Sequence, residues 1–211
     1  MSATRLCLVR HGETAWNAEG RVQGQVDVPL SAVGLAQARA VAAALAGERF
    51  AAIYSSDLTR VRQTAEPAAG RLGLPVALDA ALRERHYGMF ERHTYVEVRE
   101  RYPAEYARFR DKDLDFDFVS GESLRAFAAR ALACVAALVE RHAGESILVF
   151  THGGVLEMVY RHASGRTLSS ARDFELPNAA LNRVEARPGA WRVDAWAEVA
   201  HLERALDDLP G

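Results

Sequence analysis

The hydrophobic residues of this chain follow two periods, one typical of strands and one typical of helices. Six segments have the length and apolar character of strands. They lie at about 6–9, 50–54, 74–78, 146–150, 181–186 and 191–196. The last two alternate between apolar and polar residues and predict a hairpin that turns at Pro188 and Gly189.

Between these segments, apolar residues recur every three or four positions, as on one face of a helix. Such patterns cover about 33–46, 123–142 and 155–160. Ser31 fits the N-cap of the first helix, and Gly47 fits its end. Strands that alternate with helices predict a three-layer α/β/α fold, with a mostly parallel central sheet covered by helices on both faces.

The pattern changes between Arg85 and Gly121, where charged and aromatic residues are dense and periodicity is weak. Two short helices are predicted here, at 95–101 and 104–110. We interpret residues 85–121 as a lid insertion within a single domain that spans 1–211. His86 and His93 lie in this segment without a motif partner.

Alternating aspartates in the same segment imitate a calcium-binding loop. They start at Asp111, and Glu122 follows eleven residues later. A calcium loop needs glycine at its sixth position, where this chain has Phe116. A solvated acidic loop is therefore the better interpretation, and no metal site is predicted.

Composition and charge exclude several classes of function. The net charge is −2, so nothing favours binding to nucleic acid or to an anionic membrane. No apolar run is long enough to span a bilayer, and no secretory signal precedes the first strand. Cys7 and Cys134 lack a metal-ligand spacing and fit small buried hydrophobes. We therefore expect a cytoplasmic protein without a cofactor, either a monomer or a homodimer.

Candidate catalytic residues follow three predicted strands at the point where each ends. Arg10 and His11 follow the first strand, Arg60 lies after the second, and His152 follows the strand at 146–150. Asp57 is a plausible N-cap that would put Arg60 in the first turn of a helix, where an anion is favoured. Because parallel strands end at one edge of the sheet, these side chains should converge. Cationic donors around a nucleophilic imidazole fit phosphoryl transfer.

The motifs also have a familiar order. They are LVRHGET at 8–14, YSSDLTR at 54–60 with QTA at 63–65, LRE at 82–84 and THGG at 151–154. This set resembles the histidine phosphatase superfamily, in its branch of phosphoglycerate mutase-like phosphatases. Asn178 sits where that family often has a late asparagine.

The resemblance implies a role for each matching residue. His11 would be the nucleophile, Glu84 the proton donor, and Arg10, Arg60 and His152 would hold the phosphoryl oxygens. Glu13 and Thr14 would shape the loop. The residues that would line the phosphate pocket are Asn17, Gln23, Gly24 and Gly153. One departure stands out, because the family commonly has glycine where this chain has Arg92. A turn with positive φ would disfavour arginine there.

Three functions remain open. The first is a metal-independent phosphomonoesterase that acts on a small phosphorylated metabolite through a phosphohistidine on His11. The second is a phosphoglycerate mutase with the same chemistry. The short chain and the short tail from Glu198 favour hydrolysis, as do Thr14 and the pair Gly24-Gln25 in place of the residues typical of mutases. The third, a non-catalytic binding module, ranks last because all five catalytic candidates are present.

Overall fold

The structure is a computed structural model that describes residues 2–203, so the end of the polar tail lies outside the described residues. A six-stranded sheet with strand order β3-β2-β4-β1-β5-β6 forms its centre. The strands are β1 (Thr4–Arg10), β2 (Ala52–Ser55), β3 (Val76–Leu78), β4 (Ser146–Thr151), β5 (Leu181–Arg187) and β6 (Ala190–Glu198). The first four strands are parallel, and β5 and β6 continue the sheet antiparallel.

Seven α-helices are present among residues 2–203. They are α1 (Ala15–Ala18), α2 (Ala32–Ala44), α3 (Thr59–Leu72), α4 (Tyr95–Arg101), α5 (Pro103–Arg110), α6 (Leu124–Arg141) and α7 (Gly153–Ala163). Short 3-10 turns occur at Ala80–Leu82, Gly88–Phe90 and Ala200–Leu202. No helix in this part of the chain is long and apolar enough to cross a membrane.

Alternation along the buried strands produces the three layers. In β1, Leu6 and Leu8 point to the face covered by α6 and α7, where they join one hydrophobic cluster. Cys7 and Val9 point to the opposite face, covered by α2 and α3, and join a second cluster. Because successive side chains of a strand point to opposite faces, a continuous apolar run serves both layers. The predicted α/β/α fold is confirmed.

Residues 85–121 pack around a third, separate cluster. Its core is aromatic and consists of Phe90, Phe116 and Phe118 together with Val22 and Val98. The two predicted short helices are present as α4 and α5. Two aspartates of the acidic loop are paired with arginines, Asp113 with Arg108 at 2.7 Å and Asp115 with Arg125 at 2.9 Å. The solvated-loop interpretation agrees with these ion pairs.

Two predicted helix ends differ from the structure. Helix α3 begins after Leu58, whose side chain has no polar atom with which to cap the helix. The carboxylate of Asp57 accepts from Nε of Arg83 at 2.7 Å. The prediction that Asp57 is the N-cap of this helix is therefore wrong, although Arg60 does lie in the first turn of α3. Helix α2 ends with Leu45 as its C-cap, two residues before Gly47.

Candidate active site

The register of the sheet brings the candidate residues together. Strands β1 and β4 are parallel neighbours, with Arg10 opposite Thr151. The backbone N–H of His11 donates to the carbonyl of Thr151 at 2.9 Å, which continues the pairing one residue beyond the strand. The rings of His11 and His152 consequently lie edge to face, with centroids 5.2 Å apart.

The tautomer of His11 is fixed by its own loop. Its Nδ1 lies 2.8 Å from the carbonyl oxygen of Gly12, which can only accept, so Nδ1 carries the proton. Burial, followed by the charges of Arg60 and Arg10, lowers the pKa of His11 well below its usual value. His11 is therefore a neutral imidazole at neutral pH, and the lone pair is on Nε2.

His152 has the opposite tautomer. Its Nδ1 is 3.2 Å from Nη2 of Arg60, a group that can only donate, so Nδ1 accepts. The proton then lies on Nε2, which donates to the hydroxyl of Ser56 at 2.9 Å. Burial, with Arg60 as the next cause, lowers the pKa of His152 well below its usual value. This side chain is also neutral.

Two arginines supply the positive charge. Arg60 is buried and donates to the carbonyls of Val26 and Gly24, at 2.8 and 2.7 Å. Burial lowers the pKa of Arg60 to about 10, which leaves it charged at neutral pH. Arg10 donates through Nη1 to the carbonyl of Leu176. The Nε groups of both arginines are buried without a hydrogen-bond partner among the described residues, and such donors favour an anionic ligand.

Glu84 is held at the first turn of α7. Its Oε2 accepts from the N–H of Gly154 at 3.0 Å, and its Oε1 accepts from the N–H of Arg85 at 2.8 Å. The absence of a side chain at position 154 makes this possible, since a Cβ there would lie 2.1 Å from Oε1. Both bonds fix the orientation of the carboxyl group.

Arg10, His11, Arg60 and Glu84 line a cleft of about 280 Å³, whereas the fully buried His152 contacts Arg60 and is not among the lining residues. Among the described residues 2–203, Glu84 is the only carboxylate that lines the cleft, and the other charged lining residues are arginines. Of the predicted phosphate-binding residues, Asn17, Gln23 and Gly24 line this cleft. Gly153 lies against the guanidinium of Arg10 and lines a neighbouring cleft. The full lining is Arg10, His11, Trp16, Asn17, Gly20, Arg21, Val22, Gln23, Gly24, Arg60, Glu84, Tyr87 and Tyr95.

The loop after β1 is shaped by polar contacts. Thr14 caps α1 and forms a capping box with Asn17, whose Oδ1 accepts the N–H of Thr14 at 3.1 Å. Asn178 donates to the carbonyl of His11 at 3.0 Å and so ties the loop to the segment that follows α7. Gly24 has a φ of 51°, and a Cβ there would lie 2.0 Å from the Glu91 carboxylate.

Several neighbours of the site were missed by the sequence analysis. Ser56 and Gly154 belong to recognised motifs, but their contacts with His152 and Glu84 join residues far apart in the chain. Tyr87 and Tyr95 come from the segment 85–121, whose weak periodicity hides which side chains reach the cleft. His86 and His93, by contrast, do not line it.

The described part of the chain contains no group of three or more His, Cys, Asp or Glu side chains arranged to hold a metal ion. The acidic loop is included in this finding. Cys7 and Cys134 are both free thiols. The guanidinium groups of Arg10 and Arg60 line the cleft and carry positive charge into it.

Comparison with known proteins agrees with this geometry. Residues 6–199 match the family model described as the histidine phosphatase superfamily, branch 1. The chain belongs to this family. The match spans β1 to the end of the sheet, so it includes every candidate site residue.

Relatives within this family have different names. A metal-independent phosphoserine phosphatase of Arabidopsis thaliana is 39% identical and aligns with 94% of this chain and 83% of its own length. A probable phosphoglycerate mutase, GpmB, of Citrobacter koseri is 36% identical, with 96% and 97% covered. Among solved structures, Bacillus stearothermophilus YhfR superposes with a TM-score of 0.86 at 34% identity, over 95% of this chain and 100% of that one.

Proposed function

We propose that this protein is a metal-independent phosphomonoesterase that hydrolyses small phosphorylated metabolites through a phosphohistidine on His11. The observation that carries the proposal is the neutral imidazole of His11, with its Nδ1 proton bound to Gly12 and its Nε2 lone pair beside two arginines. The name of the Arabidopsis relative supports the same reaction class.

In the first step, Nε2 of His11 attacks phosphorus and the bond to the ester oxygen breaks. Glu84 gives its proton to the leaving oxygen, which departs as an alcohol. Arg10 and Arg60 hold the phosphoryl oxygens through their guanidinium N–H groups, and His152 keeps Arg60 in place by accepting from it at Nδ1. Charge that develops on these oxygens is stabilised by groups already oriented before reaction, so little reorganisation is needed.

In the second step, water attacks the phosphohistidine. The carboxylate of Glu84 takes a proton from this water, and inorganic phosphate leaves as Nε2 regains its lone pair. The Nδ1 proton stays hydrogen-bonded to the carbonyl of Gly12 throughout, so the ring keeps its orientation in both steps. The carboxyl group is fixed by two backbone N–H groups and can serve both steps from one position.

The remaining predicted residues act on the shape of the pocket in this proposal. Asn17, Gln23 and Gly24 line the phosphate end, and Gly153 supports the Arg10 guanidinium. Residues 85–121 act as a lid within one domain of residues 1–211, a proposal supported by the two tyrosines that this segment contributes to the cleft. A cytoplasmic location and a monomeric or homodimeric state also stay predictions from the sequence.

The test is hydrolysis of an aryl phosphate by the purified protein in the presence of EDTA. Activity should survive the chelator and should fall by several orders of magnitude in His11→Ala, because the attacking atom is removed. His162→Ala is a matched control, since this exposed histidine lies outside the cleft. Activity lost to EDTA and restored by Mg²⁺ would contradict the metal-independent mechanism.

Phosphoglycerate mutase activity is the second candidate, favoured by the name of the Citrobacter relative. It uses the same phosphohistidine but returns the phosphoryl group to the substrate. Interconversion of 2- and 3-phosphoglycerate, measured with and without 2,3-bisphosphoglycerate, should be negligible beside phosphate release. Faster interconversion than hydrolysis would make the mutase the correct assignment.

A further inference from the structure

The backbone that leads into Glu84 is held by side chains and not by secondary structure. No backbone N–H among residues 2–203 donates to the carbonyl groups of residues 81–84. The carbonyl of Leu82 accepts from the hydroxyl of Thr151 at 2.9 Å. The other three accept from a single guanidinium, that of Arg130 on α6. They are the carbonyls of Ala81, Arg83 and Glu84. The path of the chain into Glu84 therefore depends on Arg130.

Arg130 has an acceptor for each of its five N–H groups. Nη1 donates to the first two of these carbonyls at 2.8 and 3.1 Å, and Nη2 donates to the third at 3.2 Å. Nε and Nη2 each donate to one carboxylate oxygen of Glu122 at 2.7 Å. The carbonyl of Glu84 also accepts from the side-chain amide of Gln25 at 3.2 Å. A planar guanidinium can bind a carboxylate and several carbonyls at once, whereas an ammonium has three donors on a single atom.

Glu122 holds the chain on the other side of Glu84. Its Oε2 accepts from the N–H of His86 at 2.9 Å, and its own N–H donates to the carbonyl of His86 at 2.8 Å. Burial acts to raise the pKa of Glu122, but the hydrogen bonds from Arg130 and His86 outweigh burial and lower that pKa. Both partners are therefore charged at neutral pH. One ion pair thus fixes the backbone before and after Glu84.

Neither Arg130 nor Glu122 lines the cleft that contains His11. Their side chains are 24% and 21% exposed, on the far side of the segment that carries Glu84. Any effect of this pair on the reaction must therefore pass through the position of Glu84. A general acid has to lie within hydrogen-bond reach of the leaving oxygen, so its position affects the rate directly.

We propose that Arg130 and Glu122 are a positioning pair for Glu84, which fixes the backbone of residues 81–86 so that the carboxyl group stays within reach of the leaving oxygen and then of water. Misplacement of a catalytic group by about 1 Å can cost on the order of 10²-fold in rate. This inference rests on the proposed phosphatase function.

The test compares an alkyl phosphate with 4-nitrophenyl phosphate, whose leaving oxygen needs little protonation. In Arg130→Gln, kcat/KM for the alkyl ester should fall by roughly 10- to 100-fold, and that for the aryl ester by about threefold or less. KM should change little, because the arginines of the cleft are untouched. Arg130→Lys keeps the charge but not the fork and should give a similar selective loss. Glu122→Gln should give a smaller one.

A double variant separates positioning from a general effect on structure. If Arg130 acts through the Glu84 carboxyl, Arg130→Gln should cause a further loss of about twofold or less in a Glu84→Gln background. Arg125→Gln is the matched control. Arg125 lies on the same helix and also pairs with a carboxylate, Asp115 at 2.9 Å, but it donates to none of residues 81–84. It should keep the wild-type ratio of alkyl to aryl rates.

Circular dichroism would check that each variant is folded. Should Arg130→Gln not fold, Arg130→Lys and Glu122→Gln provide the same comparison. Equal losses on the alkyl and aryl esters in the folded variants, or a full further loss in the Glu84→Gln background, would overturn the positioning role. A wild-type protein that hydrolyses neither ester would instead overturn the phosphatase proposal on which this role depends.

Discussion

Two neutral histidines and two charged arginines occupy a volume in which four cations would repel one another. The chain avoids this because each imidazole is buried with a partner that fixes its tautomer: Gly12 for His11, and Arg60 with Ser56 for His152. A neutral ring costs less to bury than an imidazolium. The nucleophile is thus prepared by local geometry, without a carboxylate beside it.

Nitrogen NMR of the ligand-free protein should observe both tautomers directly. His11 should be protonated at Nδ1 and His152 at Nε2, and neither ring should titrate near pH 6.5 as an exposed histidine does, because burial and the arginine charges lower both pKa values. Spectra of His11→Ala and His152→Ala would assign the signals. An Nε2-protonated His11 would contradict the proposed nucleophile.

At the scale of residues, the sequence predicted the chemistry better than the contacts that support it. Each of the main catalytic candidates belongs to a motif of consecutive residues that can be recognised from the sequence: His11, Arg60, Glu84 and His152. The hydroxyl of Ser56 acts on His152 across 96 positions, a contact that only the alignment of β2 beside β4 creates. Tyr87 and Tyr95 belong to no motif, and their position at the cleft depends on how residues 85–121 pack.

At the scale of elements, the start of α7 positions Glu84. Gly154 would accept alanine without backbone strain, since it lies in a helix, but a Cβ there would be 2.1 Å from the Glu84 carboxylate. Gly154→Ala should displace that carboxylate while preserving the fold. We expect a loss on the order of 10²-fold for alkyl phosphates and a smaller loss for an activated aryl phosphate, which needs less protonation of the leaving oxygen.

Gly70→Ala provides the matched control for this prediction. Gly70 is an exposed residue of α3, and no atom lies within 4 Å of the position that a Cβ would take there, so alanine should raise stability slightly and leave activity unchanged. Steady-state rates on both classes of ester would be compared, with circular dichroism as the check on folding. An alkyl phosphatase rate equal to wild type in Gly154→Ala would show that Glu84 is not positioned by this turn.

The turn after the 3-10 segment at Gly88–Phe90 keeps a conformation that suits glycine. Arg92 has a φ of 72°, in the left-handed region, and its N–H donates to the carbonyl of Val22 at 2.9 Å. Arg92→Gly should therefore stabilise the fold by about 0.5–1 kcal/mol, after the extra chain entropy of glycine is subtracted. Arg92→Ala keeps the Cβ and should give no such gain. Urea unfolding of the three proteins is the measurement, and equal midpoints would contradict the strain.

The turn at Arg92 and the start of α3 show why local sequence patterns do not determine every detail of an element. A turn with positive φ disfavours arginine, yet Arg92 adopts a positive φ of 72°. Asp57 fitted the N-cap position because capping is a contact between residues close in sequence. Its carboxylate instead accepts a hydrogen bond from Arg83, which lies 26 positions away. Element boundaries are thus decided by tertiary contacts that periodicity does not contain.

At the scale of the whole molecule, the apolar periodicity was enough to predict the three layers of the fold. The common edge at which the parallel strands end was enough to predict where the site lies. Four parallel strands end together, and the loops after β1, β2 and β4 deliver the charged and titratable groups to one edge. What could not be predicted is the third cluster around Phe90, because its aromatic residues come from a segment without a regular period. Tyr87 packs against that cluster and Tyr95 stacks on Phe109, and both tyrosines line the cleft.

The buried neutral histidines should also make the stability of the whole fold depend on pH. The folded-state pKa values of His11 and His152 lie well below the ordinary value near 6.5, and that of His201 is lowered by burial as well. Below pH 6.5 the unfolded chain therefore binds more protons than the folded one, so stability falls as the pH falls. Carboxylates with lowered pKa values, such as Asp57, act only below about pH 4.

Between pH 6.5 and 5, the two site histidines should together reduce the free energy of unfolding by at most about 3 kcal/mol, because the unfolded rings take up protons in this range before the buried rings do. Urea midpoints at pH 7.5, 6 and 5 would measure the slope. The double variant His11→Gln/His152→Gln should have a much flatter profile, because glutamine has no proton to bind in either state, while His162→Gln should keep the wild-type slope. A wild-type profile that is level from pH 6.5 to 5 would mean that the folded and unfolded rings take up protons together, which would contradict the lowered pKa values of the two buried histidines.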